Sequence, residues 1–172
     1  MPNLRDLSNV ACIVGVDESD EMGTLPNKSQ LSLHVEAVTN AVRDAGLKMS
    51  DVDGIFTAGQ HSPATIGEAL GITPRYVDGT TVGGCSFIIM VGHAVAALHH
   101  GLCDVAVISH GESGRSQVGV SPRRDTAIPG QYETPYGFGG APTYFSLITT
   151  RHMHEYGTTL EQWAQVAVST RK

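Results

Sequence analysis

Basic residues are scarce in this chain of 172 residues: lysine and arginine number 11, against 17 aspartates and glutamates, so the formal net charge is −6. The few basic residues are scattered along the sequence and form no positively charged stripe. A nucleic-acid-binding surface needs clustered cations that contact phosphates. The charge pattern therefore excludes a nucleic-acid-binding protein.

Long hydrophobic runs are also missing. No stretch reaches the roughly 18 apolar residues that a transmembrane helix needs. The segment from Met1 to Ser8 carries charges where a signal peptide has an apolar centre. We therefore expect no membrane span and a cytoplasmic location, and the 41% hydrophobic content predicts a folded rather than a disordered chain.

Cysteine is too rare for a disulfide framework. The three cysteines are odd in number and form no CxxC pair, so we expect no structural zinc site and at least one free thiol. His152 and His154 lie two apart on a predicted helix and point in different directions, so no metal site is expected there. The phosphate-binding motifs GxxxxGK[ST] and GxGxxG are absent as well.

The apolar periodicity predicts strands that alternate with helices up to Ile108. The predicted strands are Val10–Val16, Gly54–Ala58, Tyr76–Val82 and Asp104–Ile108, and the predicted helices are Leu31–Ala45, Thr65–Leu70 and Ser86–His100. Apolar residues cover most of the circumference of the last of these helices, so we expect it to be buried. This order predicts an α/β fold with a mainly parallel sheet covered on both faces.

The second part of the chain begins with an irregular segment, Gly111–Pro142, of the kind that is often functional or contacts a partner. A helix is predicted from Thr143 to Tyr156, and Thr158 with Glu161 fits a capping box that opens another helix. That helix still continues at Lys172. We interpret residues 1–172 as one domain, the first half of a larger protein.

The segment Thr80–Phe87 (TTVGGCSF) is the strongest candidate for chemistry. It places Cys85 between a predicted strand and the N-terminus of a helix, where the helix dipole favours a thiolate nucleophile. Backbone amides near Gly84 and Ser86 are candidates for holding an oxyanion. The structural alternative is that Cys85 is a small buried residue in a tight turn.

His110 and Glu112 follow a predicted parallel strand, and ligand sites in such sheets lie at the carboxyl ends of the strands. We interpret both as candidate substrate-binding residues. The alternative is a simple turn in which Glu112 accepts hydrogen bonds from backbone amides. Cys12, in the predicted first strand, and Cys103 have no activating neighbour in the sequence, and packing roles are expected for both.

Three segments together resemble the N-terminal half of a thiolase: GGCSF, HHGLCDVAVISHGES and HMHEYGTTLEQWAQVAV. The lipid-transfer-protein or sterol-carrier type of acetyl-CoA acetyltransferase is the most similar subgroup. The resemblance implies a thiolase-like βαβαβ half, a homodimer, and an acyl-CoA thioester as substrate with no bound cofactor. It also implies that Cys85 is acylated, and that a histidine and a cysteine of the other half manage the protons.

One departure from the family pattern leaves the function open. Thiolases place a helix-ending glycine at a fixed distance after the nucleophile, and that distance counted back from Gly101 reaches Gly84 rather than Cys85. The leading interpretation is acyl transfer through Cys85. One alternative is a thiolase-fold retro-aldolase that cleaves CoA thioesters of lipid or steroid side chains and could act beside an OB-fold partner protein. The other alternative is a non-catalytic lipid-transfer or assembly subunit with Tyr132 and Tyr136 in its interface.

Overall fold

The computed structural model describes Leu7 and residues 9–59, 61–118 and 128–171. The chain divides into two compact units, Met1–Ser121 and Pro122–Lys172. The elements of the first unit are α1 (Gln30–Asp44), β1 (Gly54–Thr57), α2 (Pro63–Leu70), β2 (Tyr76–Gly79), α3 (Ser86–His99) and β3 (Ala106–Ser109). Short 3-10 helices lie at Met49–Asp51, Gly83–Cys85 and Gly114–Ser116.

The three strands form a parallel sheet in the order β2, β1, β3. Gly54 is in register with Tyr76 on one side and with Ala106 on the other. A helix follows each of the first two strands and provides the crossover connection that parallel strands require. The predicted α/β class with a parallel sheet is confirmed.

Helices cover both faces of the sheet. On one face, Met90 and Ala94 of α3 pack against Phe56 of β1 in a buried cluster. On the other face, Val38 and Val42 of α1 form a second cluster, to which Val107 of β3 contributes a partly buried side chain. Each face therefore buries apolar surface, which is the main favourable contribution to the free energy of folding.

Helix α1 matches the predicted helix in its limits, but its buried face differs. Ser29 caps its N-terminus through a bond from the Ser32 amide, and Gly46 follows its end with a φ of 68°. The sequence spacing predicts one apolar stripe of Leu31, Val35, Val38, Val42 and Ala45. Val38 and Val42 are buried, but Leu33 and His34 are buried with them, whereas Leu31 is only partly buried. The apolar spacing fits both faces, and only the packing against the sheet decides between them.

The predicted first strand, Val10–Val16, is wrong. This segment has no strand partner within the described residues, and the side chains of Ile13 and Val16 are 75% and 73% exposed. It runs along α1 instead, where the Val16 amide donates to Oδ2 of Asp44 at 2.9 Å. An apolar, β-branched run indicates suitability for a strand but does not supply a neighbour. Cys12 is consequently exposed rather than buried in a strand.

Helix α3 is present where it was predicted, directly after the Gly-Gly-Cys turn. One face is buried on the sheet, but Ile88, Ile89 and Val91 on the opposite side are exposed, Ile88 by 77%. The sheet can cover only one face of a helix, so the described part of the chain leaves the second apolar face of α3 open.

The second unit contains α4 (Ile128–Tyr132), α5 (Ala141–Tyr156) and α6 (Leu160–Thr170), with a 3-10 helix at Thr134–Tyr136. The predicted irregular segment Gly111–Pro142 thus includes short helices, and its residues 119–127 lie outside the described residues. Helix α5 ends at Gly157, as predicted, with a φ of 68°. In neither unit does the described chain contain a helix long and apolar enough to cross a membrane.

The predicted capping box of the last helix is displaced by one residue. Thr159, not Thr158, caps α6, and Gln162, not Glu161, completes the box. Thr158 instead bonds to Nδ1 of His152 at 3.1 Å. Two adjacent threonines followed by Glu-Gln allow either register, and this contact of Thr158 with α5 is compatible with only one of them.

Candidate functional site

The turn between β2 and α3 is a short 3-10 helix, Gly83–Cys85, that continues directly into α3. Gly83 has a φ of 79°, a conformation that residues with a Cβ rarely adopt. The turn lies at the carboxyl end of the parallel sheet, where ligand sites of α/β folds are found. The Gly-Gly-Cys segment therefore occupies the position that its sequence predicts.

Cys85 is exposed and stands at the N-cap position of α3. Its Sγ atom donates a hydrogen bond to the Val82 carbonyl at 3.1 Å, and its side chain does not cap the helix. The thiol is therefore accessible to a reagent. It is held here as a hydrogen-bond donor, however, and a thiolate would have no proton to donate to that carbonyl.

Gly84 and Ser86 flank the thiol. A Cβ at Gly84 would meet no atom within 4 Å, so open space lies beside it. Ser86 is buried, its Oγ accepts from the Val82 amide at 3.1 Å, and its own amide donates to the Gly83 carbonyl. Both polar groups of Ser86 thus stabilise the turn in this conformation.

His110 and Glu112 form a second polar group, directly after β3. Nε2 of His110 lies 3.2 Å from Oε2 of Glu112, and both side chains are partly exposed. The His110 ring also contacts the Phe87 ring, with the ring centroids 4.9 Å apart. Since Phe87 is the second residue of α3, it connects the His110–Glu112 pair to the turn that carries Cys85.

Sequence reasoning missed His34, which lies on the buried face of α1. Its Nδ1 is 2.9 Å from Oγ of Ser109, the last residue of β3. Burial, and then the neighbouring His110 and His61 when charged, lower the pKa of His34 to about 4. The signal was the position of His34, four residues before Val38 and on the same helix face.

A metal centre finds no support in the described residues. No group of three or more His, Cys, Asp or Glu side chains there is arranged to hold an ion. The imidazoles of His34, His61 and His110 lie near one another, but they meet edge to face, with centroids 6.3 Å from His34 to each neighbour.

Comparison with known proteins reveals relatives across nearly the whole chain, although no family model matches it. The chain is 30% identical to 17-hydroxy-3-oxo-4-pregnene-20-carboxyl-CoA lyase of Mycobacterium tuberculosis and 32% identical to the steroid side-chain-cleaving aldolase of Thermomonospora curvata. An acetyl-CoA acetyltransferase of Methanothermobacter thermautotrophicus is 27% identical. Each alignment covers 96% of this chain and 46%, 45% and 44% of the respective relative, so the chain spans less than half the length of these relatives.

Among solved structures, the Ltp2-ChsH2(DUF35) aldolase superposes on this chain with a TM-score of 0.73 and 29% identity. The superposition covers 86% of this chain and 38% of the aldolase chain. The similarity thus extends from the sequence to the fold. The sequence relatives include a lyase, an aldolase and an acetyltransferase. Taken together, these similarities identify the chain as an N-terminal half of the thiolase superfamily.

Proposed function

We propose that the complete protein is a thiolase-fold retro-aldolase that cleaves a carbon–carbon bond in the side chain of a steroid or similar lipid bound as a CoA thioester. The similarity to two relatives named lyase and aldolase, at 30% and 32% identity, carries this proposal. The relative named acetyltransferase is less similar, at 27% identity. The aldolase superposition at a TM-score of 0.73 supports the same choice.

The reaction class has a simple atom balance. A base removes the proton of a hydroxyl on the β carbon, and the bond between the α and β carbons breaks. The β carbon becomes a ketone, and the electron pair passes to the α carbon as a thioester enolate, which then takes up a proton. Neither step needs a covalent acyl-enzyme, so an accessible nucleophilic thiol is not required.

The geometry around Cys85 is compatible with this chemistry. Its thiol donates to the Val82 carbonyl, and no hydrogen bond from a histidine, lysine or arginine to it is found in the described part of the chain. Cysteine nucleophiles are activated by a cationic or basic neighbour or by a helix N-terminus, and in the described residues Cys85 has only the helix N-terminus. We assign substrate contact to the His110–Glu112 pair, whose polar atoms are partly exposed beside the Gly-Gly-Cys turn.

Acyl transfer through Cys85 is the second candidate. Its support is the exposed thiol at the start of α3, with free space beside Gly84 in which a thioester could approach. In this reading the backbone beside Gly84 would hold the thioester oxygen, because the amide of Ser86, the other sequence candidate, already donates to the Gly83 carbonyl. CoA thioesters are the substrates in both readings, and neither reading needs a bound cofactor.

The experiment that separates the two candidates uses the complete protein and its Cys85→Ala variant, with Cys12→Ala as the matched control because both thiols are exposed. Products from a β-hydroxylated steroid CoA thioester are measured by mass spectrometry, beside thiolysis of acetoacetyl-CoA. We expect ketone and shortened acyl-CoA from all three proteins. Thiolysis of acetoacetyl-CoA that Cys85→Ala alone abolishes, with no cleavage of the β-hydroxylated thioester by the wild type, would overturn the proposal.

The reactivity of the thiol is a second, independent measure. Iodoacetamide is applied at neutral pH, and the labelled peptides are quantified over time. An unactivated Cys85 is expected to react no faster than the exposed Cys12. Labelling of Cys85 at least about tenfold faster would instead support the acyl-transfer candidate.

We further propose that the complete protein acts with a partner of the DUF35 type, since the superposed structure is named an Ltp2-ChsH2(DUF35) aldolase. That it acts as a homodimer is proposed from the thiolase resemblance alone. Tyr132 and Tyr136 are exposed and remain candidates for such an interface. Co-expression followed by gel filtration tests both expectations. A complete protein that elutes as a monomer, and that retains full cleavage activity without any partner, would contradict them.

A further inference from the structure

One ring nitrogen of His34 is hydrogen-bonded, and the other is buried without a hydrogen-bond partner in the described chain. The bonded atom is Nδ1, which lies 2.9 Å from Oγ of Ser109, and the atom without a partner there is Nε2. The residue is fully buried. An unpaired buried nitrogen costs folding free energy, and leucine would fill this space without that cost. Packing alone therefore does not account for a histidine here.

The bond of His34 is directed at the turn that carries the candidate site. Ser109 ends β3, and its carbonyl also accepts from Oγ1 of Thr57 at 3.3 Å. Gly111 passes so close to α1 that a Cβ there would overlap the Gln30 carbonyl oxygen and lie 2.7 Å from Cδ2 of His34. The chain from Ser109 to Gly111 is thus held against α1 on one side and against β1 on the other.

The held turn determines where His110 lies. Its ring meets the His34 ring edge to face at 6.3 Å and the Phe87 ring at 4.9 Å. Its Nε2 is bonded to Glu112, the residue after Gly111. A change in the path of Ser109–Gly111 would therefore move both members of the pair.

We propose that His34 is a positioning residue: its bond to Ser109 and its contact with Gly111 fix the turn that holds the His110–Glu112 pair beside the start of α3. The inference rests on the proposed function, because it assumes that this pair contacts the substrate. His34 itself is fully buried and touches no substrate. Its effect passes through the backbone of the turn.

The test uses the complete protein with four variants. His34→Leu and Ser109→Ala each remove the bond, whereas His34→Asn can keep it, because the amide can occupy the place of Nδ1. His61→Asn is the matched control, since His61 is the other ring neighbour of His34 and lies outside the turn. The measurements are kcat and KM for thioester cleavage, the melting temperature, and the ring signals of His110 in long-range ¹H–¹⁵N spectra.

We expect His34→Leu and Ser109→Ala to lower kcat/KM by about 100-fold, the loss that a misplacement of about 1 Å can cause. Their His110 ring signals should change, while His34→Asn and His61→Asn should remain close to the wild type in both measurements. Loss of melting temperature with unchanged kcat/KM per folded molecule would overturn the proposal, as would His110 signals that are unaffected by Ser109→Ala.

The spectra also separate this inference from the proposed function. If the wild type cleaves no thioester, the proposed function fails, yet a change of the His110 signals in Ser109→Ala still supports positioning by His34. If the wild type is active and neither kcat/KM nor the signals change, the positioning role alone is wrong.

Discussion

The carboxylate of Asp53 and the guanidinium of Arg75 form an ion pair of 2.9 Å at the amino end of the sheet. Asp53 directly precedes β1 and Arg75 directly precedes β2. The other oxygen of Asp53 accepts from the amides of Asp104 and Val105, at 2.8 and 2.9 Å, shortly before β3. One carboxylate therefore joins the beginnings of all three strands, opposite the edge that carries the candidate site.

Replacement of Asp53 by alanine is expected to lower the free energy of unfolding by about 2 kcal/mol, because two backbone amides lose their acceptor. Arg75→Met should cost clearly less, since the Arg75 side chain is half exposed. Urea unfolding at neutral pH measures both. Equal losses for the two variants would show that the ion pair, and not the amide bonds, dominates.

The Asp53 carboxylate also makes the stability of the fold depend on pH under acidic conditions. Burial raises the pKa of Asp53, but the hydrogen bonds from the Val105 and Asp104 amides and from Arg75 outweigh burial, and the net pKa lies below the ordinary 3.8. Its contribution to stability is therefore present above pH 3.8 and is lost as the pH falls through the lower, folded-state pKa. Asp53→Asn should remove this part of the acid dependence.

His34 predicts a loss of stability at milder acidity. The unfolded chain binds a proton at this residue near pH 6.5, whereas the folded protein does so only near pH 4. The free energy of unfolding should therefore decrease as the pH is lowered from 6.5 to 4, by about 3 kcal/mol in total, and should not depend on this group above that range. Unfolding curves over this interval measure the slope of the free energy of unfolding against pH, which His34→Leu should reduce.

Gly111 and Gly92 give a matched pair of glycine substitutions. Gly111→Ala is expected to destabilise the protein by several kcal/mol or to shift the turn, because the new Cβ would overlap α1. Gly92 lies inside α3, and a Cβ there would meet no atom outside its own helix within 4 Å, so Gly92→Ala should raise stability by up to about 1 kcal/mol. Thermal unfolding checks both, and a tolerated Gly111→Ala would contradict the close packing of this turn on α1.

The three thiols should differ in how readily a reagent modifies them, because they differ in solvent accessibility. Cys12 and Cys85 are exposed, whereas Cys103 is fully buried, and burial, followed by the charges of Asp53 and Asp104, raises its pKa. A thiol reagent is expected to modify the first two in the native protein and Cys103 only after denaturant is added. Rapid native labelling of Cys103 would contradict the packing of the cluster around Phe56.

In the first unit, the sequence predicted the helices and strands themselves better than it predicted which elements pair or pack with one another. Strands β1 and β2 and helices α1 and α3 follow from local periodicity, and the packing role expected for Cys103 is confirmed by its burial. Whether Val10–Val16 joins the sheet depends on a neighbour that local sequence does not specify. The exposure of Ile88 has a similar cause. The apolar residues of α3 show that the helix can be buried, but they do not show which other elements are present to cover each of its faces.

For the candidate site too, the positions of residues could be predicted from the sequence, but their contacts could not. The positions of Cys85 and His110 follow from the order of strands and helices, since both lie after parallel strands. The contact between His34 and Ser109 joins residues that are 75 positions apart, and neither residue carries a local signal for the other. Polar contacts of this kind are determined by the tertiary fold alone.

The close approach of Gly111 to α1 also affects how this site can change during evolution. Every amino acid other than glycine brings a Cβ, so position 111 is expected to accept almost no substitution in a saturation library. Its neighbours His110 and Glu112 have exposed side chains on the same turn. Under the proposed function, in which this pair contacts the substrate, new substrate preferences would therefore arise by exchange at these two positions, while the backbone between them stays constant across the descendants.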